Sequence, residues 1–157
     1  MNKTIFFNDF KAEVKELERT YQDTYKRVIN SGWYILGNEV KAFEEEFSQY
    51  LNIKFVVGVA NGLDAIKISL MALNIGSGDE VITTPLSAVA TTLAIMAVGA
   101  TPIFVDIKPD GQLDETLIEA KITKKTKMII VENPGSNTFE FQDLSKIVSL
   151  AKKNKIL

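Results

Sequence analysis

From residue 55 onward, short apolar runs alternate with longer stretches of helical periodicity. That alternation restricts the fold more than any other feature of the chain. The runs are "FVVGV" (55–59), "EVITT" (80–84), "PIFVDI" (102–107) and "KMIIVE" (127–132), and helical stretches lie near 63–74, 87–98, 114–121 and 141–153. Strand, crossover helix and strand at this spacing make βαβ units, and successive units build a mainly parallel sheet between helices. The turn chemistry agrees: Gly76-Ser77-Gly78-Asp79 precedes one run, Pro109-Asp110-Gly111 follows another, and Asp114 suits a helix N-cap. The predicted fold class is α/β, a three-layer arrangement around a mainly parallel sheet.

Residues 1–54 follow a different rhythm. Phe10, Val14, Leu17, Tyr21, Tyr25 and Val28 recur at three- and four-residue steps, one stripe of an amphipathic helix. The pattern breaks at "NSGWYILGN" and resumes with Val40, Phe43, Phe47 and Tyr50, with Asn38 as the expected N-cap. The chain therefore divides into an N-terminal helical segment, 1–54, and a βαβ part, 55–157.

Two helical stretches are short of charge. "AVATTLAIMAV" (88–98) has none, and "AIKISLMAL" (65–73) has only Lys67. A helix apolar all round is covered on more than one side. These two call for a further layer, supplied by more polypeptide or by another subunit. The stretch at 141–153, with its stripe at Leu144, Ile147, Val148 and Ala151, runs into "KKNKIL". Ile156-Leu157 reads as the start of another strand, and the expectation is a fragment or truncated version of something longer.

Composition excludes several function classes. A formal net charge of −2 lacks the basic balance of a nucleic-acid surface, though a small anion needs only a local positive site. With no Cys and no His, thiolate chemistry, the usual general base and the commonest metal ligand are all missing, so no metal site is expected. The apolar run near the N-terminus is only Ile5-Phe6-Phe7, too short for a signal peptide, and no run approaches a membrane helix. The reading is a cytoplasmic protein.

The corner "VVGVANGLDAIKISLMAL" (56–73) is the candidate site. An apolar run stops at Ala60-Asn61-Gly62 and a helix begins at once. The first-turn amides of such a helix lack intrahelical partners, and the helix dipole adds positive charge there. Together they suit a phosphate. Gly62 would let a ligand approach the backbone, and Asn61 tolerates a left-handed conformation if the corner needs one. The bland alternative is an Asn-Gly turn that binds nothing. Neither a dinucleotide nor a Walker fingerprint is present. Among other residues, Asp106 reads as a turn or cap residue, "KITKKTK" (121–127) as a solvated turn and Glu44-Glu45-Glu46 as a solvent face.

Longer stretches carry a resemblance. "SGWYILGNEVKAFEEEFSQYLNIKFVVGVANGLDAIKISLMALNIGSGDEVITTP" and "AVGATPIFVDIKPDGQLDETLIEAKITKKTKMIIV" resemble, in order and spacing, the N-terminal part of the DegT/DnrJ/EryC1/StrS family. These are pyridoxal-phosphate-dependent aminotransferases of nucleotide-linked keto-sugars. The resemblance implies part of a fold-type-I large domain, pyridoxal 5'-phosphate as cofactor, glutamate as amino donor, and a homodimer with active sites at the interface. "SGWYILG" is most similar to the subgroup that aminates a 3-keto-6-deoxy sugar carried on dTDP.

Carried over residue by residue, the family's phosphate turn falls on Asn61, Gly62, Leu63 and Asp64, with the amides of Gly62, Leu63 and Asp64 as donors. The family's threonine is Leu63 here, so one hydroxyl is lost. The aromatic residue that stacks on the pyridine ring is Val89 here. The family's "HLYG" falls on Glu132-Asn133-Pro134-Gly135, where only the glycine survives. Trp33 and Tyr34 fall in a segment that touches substrate in the family; their bland role is a staple between helices.

The resemblance assigns no catalytic residue to this chain. The family's Schiff-base lysine and the carboxylate that protonates the ring nitrogen belong to later segments. Lys67 falls in the first buried helix, and Lys108, Lys121, Lys124, Lys125 and Lys127 fall around turns and a helix end, where solvated lysines are ordinary; none is expected to be catalytic. The leading reading is the N-terminal portion of a sugar aminotransferase, inactive as these 157 residues. The alternative is a degenerate, non-catalytic module that binds a partner subunit or a nucleotide-sugar. An unrelated Rossmann-like nucleotide binder ranks last, because a long helical segment precedes the first strand.

Overall fold

A computed structural model describes residues 7, 9–133 and 143–157. It contains two compact units, Met1–Gly58 and Val59–Leu157.

The first unit holds α1 (Lys11–Ser31) and α2 (Asn38–Leu51). α1 ends where Gly32 turns left-handed, φ 64°, a conformation a Cβ disfavours. Asn38 is not the N-cap expected of it. Gly37 takes the half-in position with extended backbone, its carbonyl accepts from Lys41 N–H at 3.2 Å, and Asn38 is already helical. A Cβ on Gly37 would sit 2.6 Å from the carbonyl oxygen of Trp33, so only glycine fits. Arg27 spans the connection with a bidentate contact to Glu39, both bonds 2.8 Å. Phe43 and Phe47 stack with centroids 5.4 Å apart.

The run 55–59 forms no strand. A strand exists through ladder hydrogen bonds, and among the described residues the run 55–59 pairs with no strand. Gly58 N–H donates instead to the Glu44 carboxylate at 2.7 Å. That bond also draws Glu44 out of the solvent face expected for Glu44-Glu45-Glu46.

The second unit is built on β1 (Glu80–Thr83), β2 (Thr101–Phe104) and β3 (Thr126–Ile129), all parallel and ordered β2-β1-β3. α3 (Gly62–Ala72) and α4 (Val89–Ala97) pack on one face, α5 (Glu115–Ile118) and α6 (Ser145–Asn154) on the other. Alternation along β1 makes the division: Val81 joins Leu70, Ile75, Ile95 and Ala100 in one core, and Ile82 joins Val105, Leu113, Ile118 and Ile147 in the other. Among the described residues this is the expected three-layer α/β arrangement.

Several elements are shorter than their patterns suggest. β2 stops at Phe104 because the chain folds back around Pro109-Asp110-Gly111, where Gly111 N–H bonds the Lys108 carbonyl at 2.9 Å and Ile107 bridges Leu113. Asp106 serves this turn, its carbonyl accepting from Asp114 N–H at 2.9 Å. Asp114 caps α5 as expected, accepting from Thr116 N–H at 2.9 Å, but the helix tightens into a 3-10 turn, Glu119–Lys121, after one α-helical turn. α6 begins at Ser145, whose N–H bonds Asp143 at 2.9 Å, so the stripe expected from Leu144 to Ala151 buries chiefly Ile147. The start of that stretch, 141–142, lies outside the described residues.

α3 and α4 keep apolar residues on their outer sides: Ile68, Met71, Leu93 and Met96 are between 46% and 58% exposed. Leu157 lies beside β3, its N–H donating to the Lys127 carbonyl at 2.9 Å and its carbonyl accepting from Ile129 N–H at 2.8 Å. Among the described residues no helix is long and apolar enough to cross a membrane.

Candidate functional site

α3 runs antiparallel to the strand it precedes, so its N-terminus lies at the carboxyl end of the sheet, where open α/β folds collect ligands. Asn61 is its N-cap. The backbone there is extended, φ −166°, so the left-handed conformation that asparagine would tolerate is not used. The side chain does a different job. Asn61 Oδ1 accepts from Asp64 N–H at 2.9 Å, and Asn61 Nδ2 donates to Asp64 Oδ2 at 3.1 Å. This reciprocal pair closes the first turn, as in a capping box.

The closure reduces the donor set. Asp64 was expected to offer its amide to a phosphate, but Asn61 has taken it. Ala65 N–H goes to the Asn61 carbonyl at 3.0 Å. The amides of Gly62 and Leu63 remain, with no partner among the described residues. A Cβ built on Gly62 meets nothing within 4 Å, so the space above these donors is open. Two aligned N–H groups and a helix dipole favour an anion. The Asp64 carboxylate opposes a dianion nearby, and its bond from Asn61 softens that opposition. The turn thus presents two unpaired backbone donors and no side-chain hydroxyl to the open space above it.

Val89 is the first residue of α4 and is 70% exposed, an apolar surface without aromatic stacking. Just before it, Ala88 N–H reaches the Glu132 carboxylate at 3.4 Å, which links the end of β3's run to the start of α4. Glu132 Oε2 and Thr83 Oγ1 are buried with no hydrogen-bond partner among the described residues. Glu132 was not singled out as a site residue, although a charge closing the apolar run "KMIIVE" was the available signal. Pro134 and Gly135 lie outside the described residues.

Trp33 and Tyr34 belong to the first unit. The two residues are 58% and 61% exposed, so neither is buried as a staple. Ser31 Oγ accepts from Trp33 N–H at 3.1 Å, and the Tyr34 hydroxyl donates to the Ile29 carbonyl at 3.2 Å. The loop is thus held in shape while its indole stays accessible. Among the lysines weighed earlier, Lys108 lies 3.2 Å from Glu115, and that contact raises its pKa. A Schiff-base lysine needs the opposite shift. Lys124 and Lys125 sit exposed in the turn before β3. No cluster of acidic residues among the described residues is arranged to hold a metal ion.

The model of the DegT/DnrJ/EryC1/StrS aminotransferase family matches residues 15–157. The chain is 40% identical to the dTDP-3-amino-3,6-dideoxy-alpha-D-galactopyranose transaminase of Aneurinibacillus thermoaerophilus, over 90% of this chain and 39% of that protein. It is 38% identical to the UDP-2-acetamido-2-deoxy-3-oxo-D-glucuronate aminotransferase of Pseudomonas aeruginosa, over 92% of this chain and 41% of that protein. Among solved structures, DesV of S. venezuelae in complex with a ketimine intermediate superposes with a TM-score of 0.91 at 35% identity, covering 99% of this chain and 41% of DesV. The chain spans about two fifths of the length of these relatives.

Proposed function

The chain belongs to the DegT/DnrJ/EryC1/StrS aminotransferase family, and from that membership we propose that it is the N-terminal portion of a pyridoxal-phosphate-dependent aminotransferase acting on nucleotide-linked keto-sugars. Its second unit has the α/β architecture of part of a fold-type-I large domain. Two relatives named above aminate dTDP- and UDP-linked sugars, which supports the substrate class. Glutamate as donor, a homodimer and a cytoplasmic setting belong to the same proposal.

The observation that carries the reading is the pair of amides at Gly62 and Leu63 under open space. In this proposal they hold the cofactor phosphate, while Asn61 and Asp64 lock the turn that aims them. Val89 gives the ring an apolar contact. Trp33 and Tyr34 are offered to substrate. The cofactor, when bound, supplies the electron sink that amino transfer requires. Among the described residues Lys108 is ion-paired with Glu115 and Lys124 and Lys125 are exposed, neither the setting of a Schiff-base residue, so catalysis by this chain alone is not expected.

The test is to mix the chain with pyridoxal phosphate, reduce with borohydride and read the mass. Binding that inorganic phosphate displaces, without a stoichiometric adduct on one lysine, agrees with the proposal. A stoichiometric adduct on a single lysine contradicts it. The second reading, a degenerate module binding a partner or nucleotide-sugar, is favoured by Leu63, Val89 and the engaged Asp64 amide. It predicts no phosphate-dependent binding of the cofactor at all.

A further inference from the structure

Two polar side chains come together at the carboxyl end of the sheet, on the face that carries α3 and α4. Along β1, Val81 joins the core under these helices and Ile82 joins the opposite one, so by alternation Thr83 turns back toward α3 and α4. On the neighbouring run Met128 and Ile130 pack against the same core, and Glu132 follows them on that face. The ladder aligns the two runs: Ile82 pairs with Ile129, and Ile130 N–H donates to the Ile82 carbonyl at 2.8 Å. Thr83 and Glu132 therefore lie near the ends of adjacent runs. The open turn at Gly62 and Leu63 stands at the same end and on the same face.

The bonding of the two side chains is distinctive. Thr83 is fully buried, and its Oγ1 has no partner among the described residues. Thr84, one residue on, shows the ordinary arrangement, with its Oγ1 accepting from Leu86 N–H at 3.2 Å. One oxygen of Glu132 accepts from Ala88 N–H at 3.4 Å, at the head of a helix whose N-cap residue provides no side-chain cap. The other, Oε2, is buried and has no hydrogen-bond partner among the described residues. Leaving such atoms unpaired is costly, so in folded proteins they mark the place of a water or a ligand group. A carboxylate oxygen accepts most strongly from a charged donor, and a threonine hydroxyl can accept beside it. A primary ammonium has three N–H donors, enough for both acceptors, whereas a hydroxyl has only one.

We propose that Thr83 Oγ1 and Glu132 Oε2 form a recognition site for a primary ammonium group, presented by the amine form of the cofactor. The identity of that ligand rests on the phosphate reading of Gly62 and Leu63; the acceptor pair itself does not. Where the family's motif has histidine this chain has Glu132, so the preference belongs to this chain.

The experiment compares pyridoxamine phosphate with pyridoxine phosphate, which carry an amine and a hydroxyl at the same position. Equilibrium titration of the chain with each gives the ratio of affinities. The amine should bind about tenfold tighter, as one charge-assisted hydrogen bond would give. Glu132→Gln keeps the size of the side chain and an acceptor for Ala88 N–H, and it should bring the two ligands to equal affinity. Thr83→Val should reduce the preference without lowering the thermal midpoint, because the hydroxyl it removes has no partner to lose. Equal affinities in the parent, or a preference that survives Glu132→Gln, would overturn the proposal. So would a lowered midpoint in Thr83→Val with the preference intact, the sign of a resident water or an internal partner. The unphosphorylated pair, pyridoxamine and pyridoxine, separates the two readings. If the phosphate reading fails, the phosphate adds no affinity but the amine preference persists in this pair. If the present inference fails, the preference is absent from both pairs.

Discussion

Asn61 and Leu63 set the strength of the corner in opposite ways. Asn61 closes the first turn of α3 through its two contacts with Asp64. Asn61→Ala should therefore lower stability by about 1 kcal/mol, the usual worth of such a cap, which a urea titration followed by circular dichroism would show. Leu63 leaves the turn without a hydroxyl. If Gly62 and Leu63 hold a phosphate, Leu63→Thr should tighten pyridoxal phosphate by about tenfold, since one bond to a charged group contributes roughly 1.5 kcal/mol or more. Pyridoxal, lacking the phosphate, should show no change. The position of this turn was legible because Asn-Gly after an apolar run has few structural uses. Its donor count was not. Nothing in the string "ANGLD" says whether Asn61 points its side chain at Asp64 or at solvent. That choice depends on the extended backbone at Asn61, which the three-dimensional corner imposes.

At the level of elements, ion pairs join α5 to α6. Glu115 is only 14% exposed and lies 3.0 Å from Lys146 and 3.2 Å from Lys108. A hydrogen bond from its own backbone, then Lys146 and Lys108, hold its carboxyl down at about 2 against an ordinary 4.5. A depressed acid contributes stability above its unfolded pKa and loses it as pH falls toward the folded one. Glu115→Gln should thus cost about 1–2 kcal/mol at neutral pH, less than the full shift implies because Lys146 is well solvated. The gap between variant and parent should close between about pH 4.5 and about 2, as read from urea midpoints at each pH. In the first unit, Gly37→Ala must move the carbonyl of Trp33, which a Cβ would approach to 2.6 Å. A loss of about 1–3 kcal/mol should come with a shifted emission maximum, and Trp33 is the sole tryptophan to report it. The elements themselves were largely readable from periodicity. The run 55–59 was misread because β propensity says nothing of a pairing partner, and the end of β2 because a hairpin around Gly111 outweighed "PIFVDI".

For the whole molecule, the charge-poor helices carried the clearest sign of a further layer. α3 and α4 cover each other and the sheet, yet Ile68, Met71, Leu93 and Met96 still face outward. In the proposed homodimer this side is covered by the partner. The double change Leu93→Glu and Met96→Glu should then shift sedimentation from dimer to monomer at equal concentration, with the circular dichroism spectrum unchanged. What no single-chain pattern discloses is which surface covers another, since patterning records only that a face is apolar.

The account stands or falls on the backbone donors at Gly62 and Leu63. Titrating the isotope-labelled chain with pyridoxal phosphate and following its amide resonances tests them directly. The expected result is saturable movement of the Gly62 and Leu63 N–H signals, reproduced by inorganic phosphate and absent with pyridoxal. Unmoved signals at both residues under saturating cofactor, or equal movement with pyridoxal, would contradict it.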